Sequence, residues 1–269
     1  MFPELFRIGN FALRSYGLLL AIAFLTATIL AIRRAKKLGV DGKIIENLST
    51  IVIIASIVGS RLFYVIFHIE EFRGHWLDII SPYQSDGSCG LAGLSMMGGV
   101  VLAIFACLVY IARKQLNFYK LADIVAPAMA LGFGIARIGC FLNGCCFGRP
   151  ICPNLGMVFP PNSPAGATFT GIAICPTQLF HSFSNLLIFG ILLAVERKVK
   201  VTKGSLFGLF LALYAVQRVI VDHFRYYEPN AIVFKIGASH FTYSGLLAVI
   251  LGIAGLILIF TGADENNKG

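Results

Sequence analysis

The apolar residues of this chain fall in long unbroken runs. They do not alternate as in a half-buried strand, nor follow the three-and-four spacing of a water-facing helix. Seven runs stand out, at 16–32, 48–67, 93–112, 121–141, 177–195, 204–222 and 242–261. Each approaches the roughly 20 residues that a helix needs to cross a hydrocarbon core. The pattern predicts an all-α integral membrane protein, a single seven-span domain over residues 1–269 with a short polar tail after Phe260. The first run has no basic stretch before it and no small-residue cleavage site. Arg33, Arg34, Lys36 and Lys37 follow it, so it reads as a retained span.

Composition agrees with a lipid solvent. The 269 residues are 57% hydrophobic and 13% charged, whereas charged residues make up about a quarter of soluble domains. The net charge of +9 is dispersed between apolar runs and forms no patch, so no nucleic-acid partner is expected. The cations instead give a topology. They cluster after the first run (Arg33, Arg34, Lys36, Lys37, Lys43), after the third (Arg113, Lys114, Lys120) and after the fifth (Arg197, Lys198, Lys200, Lys203). These connections share one side of the membrane. The positive-inside rule makes it the cytoplasmic side, with the N-terminus outside and the C-terminus in the cytoplasm.

Three arginines fall inside outward-running spans: Arg61, Arg137 and Arg218. Each lies six or seven residues before the outer edge, about 10 Å deep at the rise of a helix. Cations at such a depth cost about 3 kcal/mol each and call for an anion. A lipid phosphate of the outer leaflet lies near that depth and suits the planar guanidinium fork. Tyr214, Arg218, Asp222 and Arg225 recur at four, four and three, which places them on one helix face. Asp222 there can hold one arginine and leave another for a ligand. The alternative is an Arg–Asp pair that only ties two helices together. Between Gly132 and Pro150 lies a glycine-rich stretch with Arg137, Asn143 and Gly144. It suits either close helix packing or a turn presenting backbone donors.

At these residues the chain resembles the prolipoprotein diacylglyceryl transferase family. The signature R-x-G-x-F-x-N-G followed by G-R is matched by Arg137, Gly139, Phe141, Asn143, Gly144, Gly148 and Arg149. The likeness extends to Arg14 through Gly17, Gly59 through Tyr64, Pro176 through Leu179, and Tyr214 through Arg225. It implies transfer of the diacylglyceryl group of phosphatidylglycerol to the lipobox cysteine of a prolipoprotein signal peptide, in the bacterial inner membrane and toward its outer leaflet. Arg137 and Arg218 would be catalytic. Arg137, Tyr16, Asn143, Gly144, Arg61, Asp222, Arg225 and Gln178 would bind substrate. Neither cofactor nor metal is implied.

The chain departs from the family pattern in places. Met97 stands where the family has histidine, Cys140 and Cys145 stand where asparagine and glutamate are common, and Ser244-Gly245 lies near an expected glutamine. Methionine accepts no proton, and His181, a turn into the fifth span, is the best-placed replacement base. Six cysteines (Cys89, Cys140, Cys145, Cys146, Cys152, Cys175) fall toward the outer side and read first as disulfides. A soft-metal set of Cys145, Cys146, Cys152, Cys175 and His181 is a second reading, and a reactive thiol near Arg137 a third. Two other functions stay open: a paralogue using the same lipid pocket for another acceptor or a thiol-based step, and a non-catalytic lipid- or metal-binding membrane protein.

Overall fold

The computed structural model describes residues 4–8, 11–73, 95–152, 154–198, 204–227, 232–236 and 239–266. Cys89, Lys200, Lys203 and the first two residues of the run expected at 93–112 lie outside the described residues. The helices are α1 (Ser15–Lys37), α2 (Gly42–Phe67), α3 (Met96–Arg113), α4 (Phe118–Asn143), the short α5 (Pro164–Thr168), α6 (Thr177–Lys198), α7 (Ser205–Phe224) and α8 (Tyr243–Asn266). All but α5 are long and apolar enough to cross a membrane, seven among the described residues. The fold is all-α and integral to the membrane. Large side chains such as Leu25, Ile54, Phe105, Phe183 and Phe260 stay exposed along these helices, which only a lipid solvent tolerates.

Several helices outrun their apolar stretches. α1 continues to Lys37, because Arg34, Lys36 and Lys37 suit the negative end of the helix dipole. Gly39, with φ +69°, then closes it, and the Val40 N–H donates to the Ala35 carbonyl at 2.8 Å. Asp41 opens α2 by accepting from the Lys43 N–H at 3.0 Å. Among the described residues three antiparallel strand pairs accompany the helices: β1 (Glu4–Ile8) with β2 (Phe11–Arg14), β3 (Met157–Val158) with β4 (Ala173–Ile174), and β5 (Ile232–Ile236) with β6 (Ser239–Thr242). β2 runs directly into α1, and β6 into α8.

The chain divides into two compact units, residues Ile32–Phe118 and residues Met1–Ala31 with Tyr119–Gly269. In the first unit α2 and α3 approach backbone to backbone. A Cβ on Gly59 would lie 2.5 Å from the Gly98 carbonyl oxygen, and one on Gly98 would lie 2.4 Å from that of Gly59. Arg61 is buried there, 5.2 Å over the Phe72 ring.

In the second unit α7 and α8 meet the same way. A Cβ on either Gly208 or Gly255 would lie 2.5 Å from the other's carbonyl oxygen. Ala126 and Ala130 of α4, Ile188 and Leu192 of α6, and Leu206, Phe210 and Leu211 of α7 form the core. Asp123 of α4 caps α7 from outside, accepting from the Gly204 N–H at 2.7 Å and the Phe207 N–H at 2.8 Å. Farther along α7 the buried residues turn polar, with Gln217, Arg218 and Asp222.

Candidate functional site

The polar end of α7 is built around one ion pair. Arg218 and Asp222, a turn apart and both buried, place Nε 3.3 Å from Oδ1. One terminal nitrogen of Arg218 also donates to the Tyr227 hydroxyl and to Ser244 Oγ, each at 2.8 Å. Tyr227 in turn donates to Asp222 Oδ1 at 2.7 Å, and Thr242 Oγ1 lies 3.4 Å from Oδ2. Burial pushes the Tyr227 hydroxyl above its usual range, against the pull of Arg225 and Arg218, which keeps this donor protonated. A buried pair of this kind is weak evidence for stability, but it fixes where the Arg218 charge points.

Arg225 does not continue the face that its spacing predicted. It is the C-cap of α7 with extended backbone (φ −82°, ψ 144°), paired with Gly148 in a bridge. Its guanidinium lies 4.9 Å over the Tyr227 ring, and its Nε is buried with no partner among the described residues. Arg149 holds the same corner: its N–H donates to the Phe224 carbonyl at 2.8 Å and its side chain to that of His223.

The end of α4 supplies the second charge. Arg137 is half-buried and lies within electrostatic reach of Cys146. Among the described residues, no carboxylate lies within ion-pair distance of it. Asn143 ends the helix and Gly144 turns the chain in the left-handed region at φ +71°, where a Cβ would lie 2.6 Å from that of Ser163. Cys146 follows, also left-handed at φ +60°, a conformation uncommon for a non-glycine residue. The first turn of α6 locks this turn in place. Gln178 Nε2 donates to the Cys145 carbonyl at 2.8 Å, and Thr177 Oγ1 to that of Cys146 at 2.9 Å. Gln178 Oε1 is buried and has no partner among the described residues.

The cysteines separate into two groups. Cys152 and Cys175 form a disulfide that closes a loop of separation 23. Cys140, Cys145 and Cys146 remain thiols, their sulfurs within 4.8 Å of one another. The expectation of disulfides throughout is corrected here among the described residues, where Cys152 and Cys175 pair and the trio at the end of α4 stands as free thiols. Hydrogen bonds from Cys140 and Cys145, and then the charges of Arg225 and Arg137, hold the Cys146 thiol far below the ordinary thiol range.

His181 is buried between two of these elements. Gln217 Nε2 lies 2.7 Å from Nδ1, and Arg218 lies 3.5 Å from Nε2. Gln217 Oε1 has no partner among the described residues, and turning that amide over would let Nδ1–H donate to it. Either way both ring nitrogens face protein groups. Gln217 escaped the sequence reading, although a glutamine inside an apolar span was the available signal.

Arg137, Asn143, Gly144, Gln178, His181, Arg218, Asp222 and Arg225 therefore gather in one unit, linked through the contacts above. Tyr16 joins them at the start of α1, exposed, with its Cα 3.5 Å from where a Cβ on Gly139 would be. Arg61 and Met97 belong to the other unit, and Met97 is exposed. Arg137, Arg218 and Arg225 all act electrostatically on His181, and among the described residues Asp222 is the carboxylate paired into this cluster. The excess positive charge suits an anion.

A family model described as prolipoprotein diacylglyceryl transferase matches residues 3–261 of the chain. A phosphatidylglycerol–prolipoprotein diacylglyceryl transferase of Clostridium tetani is 32% identical over 253 residues, covering 94% of this chain and 96% of its own. One of Clostridium perfringens is 29% identical over 270 residues, covering 100% and 98%. One of Prochlorococcus marinus is 31% identical over 235 residues, covering 83% and 78%.

Proposed function

The chain belongs to the prolipoprotein diacylglyceryl transferase family, and from that premise we propose that it moves the diacylglyceryl group of phosphatidylglycerol onto the lipobox cysteine of a prolipoprotein. The thiolate forms a carbon–sulfur bond at the diacylglyceryl carbon. The carbon–oxygen bond to phosphate breaks, and glycerol phosphate leaves with the electron pair. The basic connections support an N-terminus outside the cell, so the arginine cluster opens toward the outer leaflet of the bacterial inner membrane.

The phosphate passes from one negative charge toward two as the bond breaks, so fixed cations beside it lower the barrier. Arg137 binds the phosphate. The observation that carries this assignment is its half-buried guanidinium with no carboxylate in ion-pair reach among the described residues. Arg218, oriented by Asp222, Tyr227 and Ser244, supplies a stationary field. Gln178 Oε1, buried and unpartnered, suits a hydroxyl of the glycerol headgroup, and Tyr16, Asn143 and Gly144 line the approach.

Purified protein supplied with phosphatidylglycerol vesicles and a lipobox peptide is expected to yield thioether-linked peptide and glycerol phosphate, and to complement a transferase-depleted strain. Lipid binding without either outcome would favour a non-catalytic lipid binder. One demand remains, since a free thiol has a pKa near 8.5 and must lose its proton. Met97 cannot take it, and both His181 nitrogens are engaged.

A further inference from the structure

Cys140, Cys145 and Cys146 lie outside the phosphate-binding role, and they stand together for a structural reason. Cys140 is in the last turn of α4. The left-handed Gly144 folds the chain back so that the Cys145 N–H donates to the Cys140 carbonyl at 3.1 Å, and the Cys145 thiol points to that same carbonyl at 3.8 Å. The left-handed Cys146 then brings a third sulfur alongside. Thr177 and Gln178 hold the two carbonyls of this turn, so the strained conformation is imposed by a neighbouring helix.

We propose that these three cysteines form a trithiolate site for a thiophilic d10 cation, zinc or cuprous copper, with its next coordination position open to an external ligand. The sulfurs lie within 4.8 Å of one another. Thiolates set tetrahedrally around zinc at about 2.3 Å stand about 3.8 Å apart, so small side-chain rotations close the site. Charge favours it too. Three thiolates around a divalent ion leave a net negative charge, and Arg225 and Arg137 both lie within electrostatic reach of the Cys146 sulfur.

No further cysteine, histidine or carboxylate joins the trio among the described residues. Cys152 and Cys175 are joined to each other, and His181 faces Gln217 and Arg218. Cys145 and Cys146 are only half-buried, which leaves a way in. Three protein ligands with one vacancy is the arrangement of catalytic rather than structural zinc. A thiol that enters such a position gives up its proton on coordination, to water at the half-exposed Cys145 and Cys146 side. Resting on the transferase reading, the external ligand is the acceptor cysteine, delivered as thiolate beside the Arg137-bound phosphate.

Full-length protein in detergent, kept reduced with a phosphine and stripped with a chelator, is titrated with Co2+ alone as a spectroscopic stand-in. Competition with Zn2+ and Cu+ then ranks the natural candidates. One Co2+ per chain with a sulfur-to-cobalt charge-transfer band is expected. The band is lost in Cys140→Ser, Cys145→Ser and Cys146→Ala, and kept in Cys107→Ser, whose thiol lies in the other unit. Matched helical circular dichroism shows that each variant is folded. A spectrum without a thiolate band, a band surviving those substitutions, or a disulfide within the trio in protein taken from membranes without reductant overturns the site. Adding a cysteine-containing lipobox peptide is expected to shift the visible cobalt bands, and unchanged bands overturn the open position. Binding is read without turnover. Metal bound with no transfer therefore counts against the transferase reading alone, and transfer without metal binding against this inference alone.

Discussion

α4, α6 and α7 serve two regions of one unit by opposite means. Toward the start of α7 they pack Ala126, Ala130, Ile188, Leu192, Leu206 and Phe210 with no ionised group among them. Toward its end they bury Arg218, Asp222, Gln217, His181 and Gln178. The apolar region is held by volume, and a void there costs stability wherever it opens. The polar region is held by named hydrogen bonds, and among the described residues it keeps several groups unpaired: Gln178 Oε1, Gln217 Oε1 and the Nε atoms of Arg149 and Arg225. A fold selected for stability alone would satisfy them. The difference marks the polar region as the one arranged for a ligand.

The comparison can be broken from either side. The largest effect is expected from Asp222→Ala, which leaves Arg218 buried without its partner. About 3–5 kcal/mol of stability should go, and transfer should fall with it, as thermal unfolding in detergent and a lipidation assay would show. Phe210→Ala should cost about 3 kcal/mol by the cavity it leaves while folded protein keeps its turnover. A comparable loss of turnover per folded molecule would erase the distinction between the two regions. Opening the Cys152–Cys175 loop with paired serines should cost about 2–3 kcal/mol, read in the same unfolding experiment.

The smallest effect is one of pH. Hydrogen bonds from Cys140 and Cys145, with Arg225 and Arg137, hold the Cys146 thiol low, so in metal-stripped protein it stays ionised well below pH 8. Its alkylation rate should be nearly flat from about pH 8 to 6, where an ordinary thiol slows roughly tenfold per unit. The sign carries to stability. A depressed thiol stabilises the fold above the ordinary thiol pKa, and that contribution is lost only as pH falls through the folded value. An ordinary slope at Cys146 would remove the electrostatic coupling between the trio and the arginines.

How much of this was legible before the structure depended on the kind of signal. The seven helices were plain because lipid demands long apolar runs, and the buried Arg218–Asp222 pair followed from four-residue spacing on one of them. The charged end turns of α1 and α2 were missed because hydropathy marks the membrane segment and not the helix. Arg225 was placed on the wrong face, since spacing cannot show that α7 ends at Phe224. The cysteine partition lay further out of reach. It depends on Gly144 and Cys146 both adopting positive φ, and on Thr177 and Gln178 reaching across from α6, none of which has a periodic signature. Gln217 carried a signal as a glutamine inside an apolar span, whereas Tyr227 and Ser244 entered the site only through contacts with α7 that no spacing announces.

The central claim is that Arg137 meets the phosphate of phosphatidylglycerol in the transition state. Its most direct test is the single-turnover rate of transfer to a lipobox peptide by Arg137→Ala, measured beside its thermal stability. The account predicts a fall of roughly 100- to 1,000-fold in protein that its unfolding transition shows to be folded. A rate within a few-fold of the parent, with the protein folded and saturated with lipid, would contradict it.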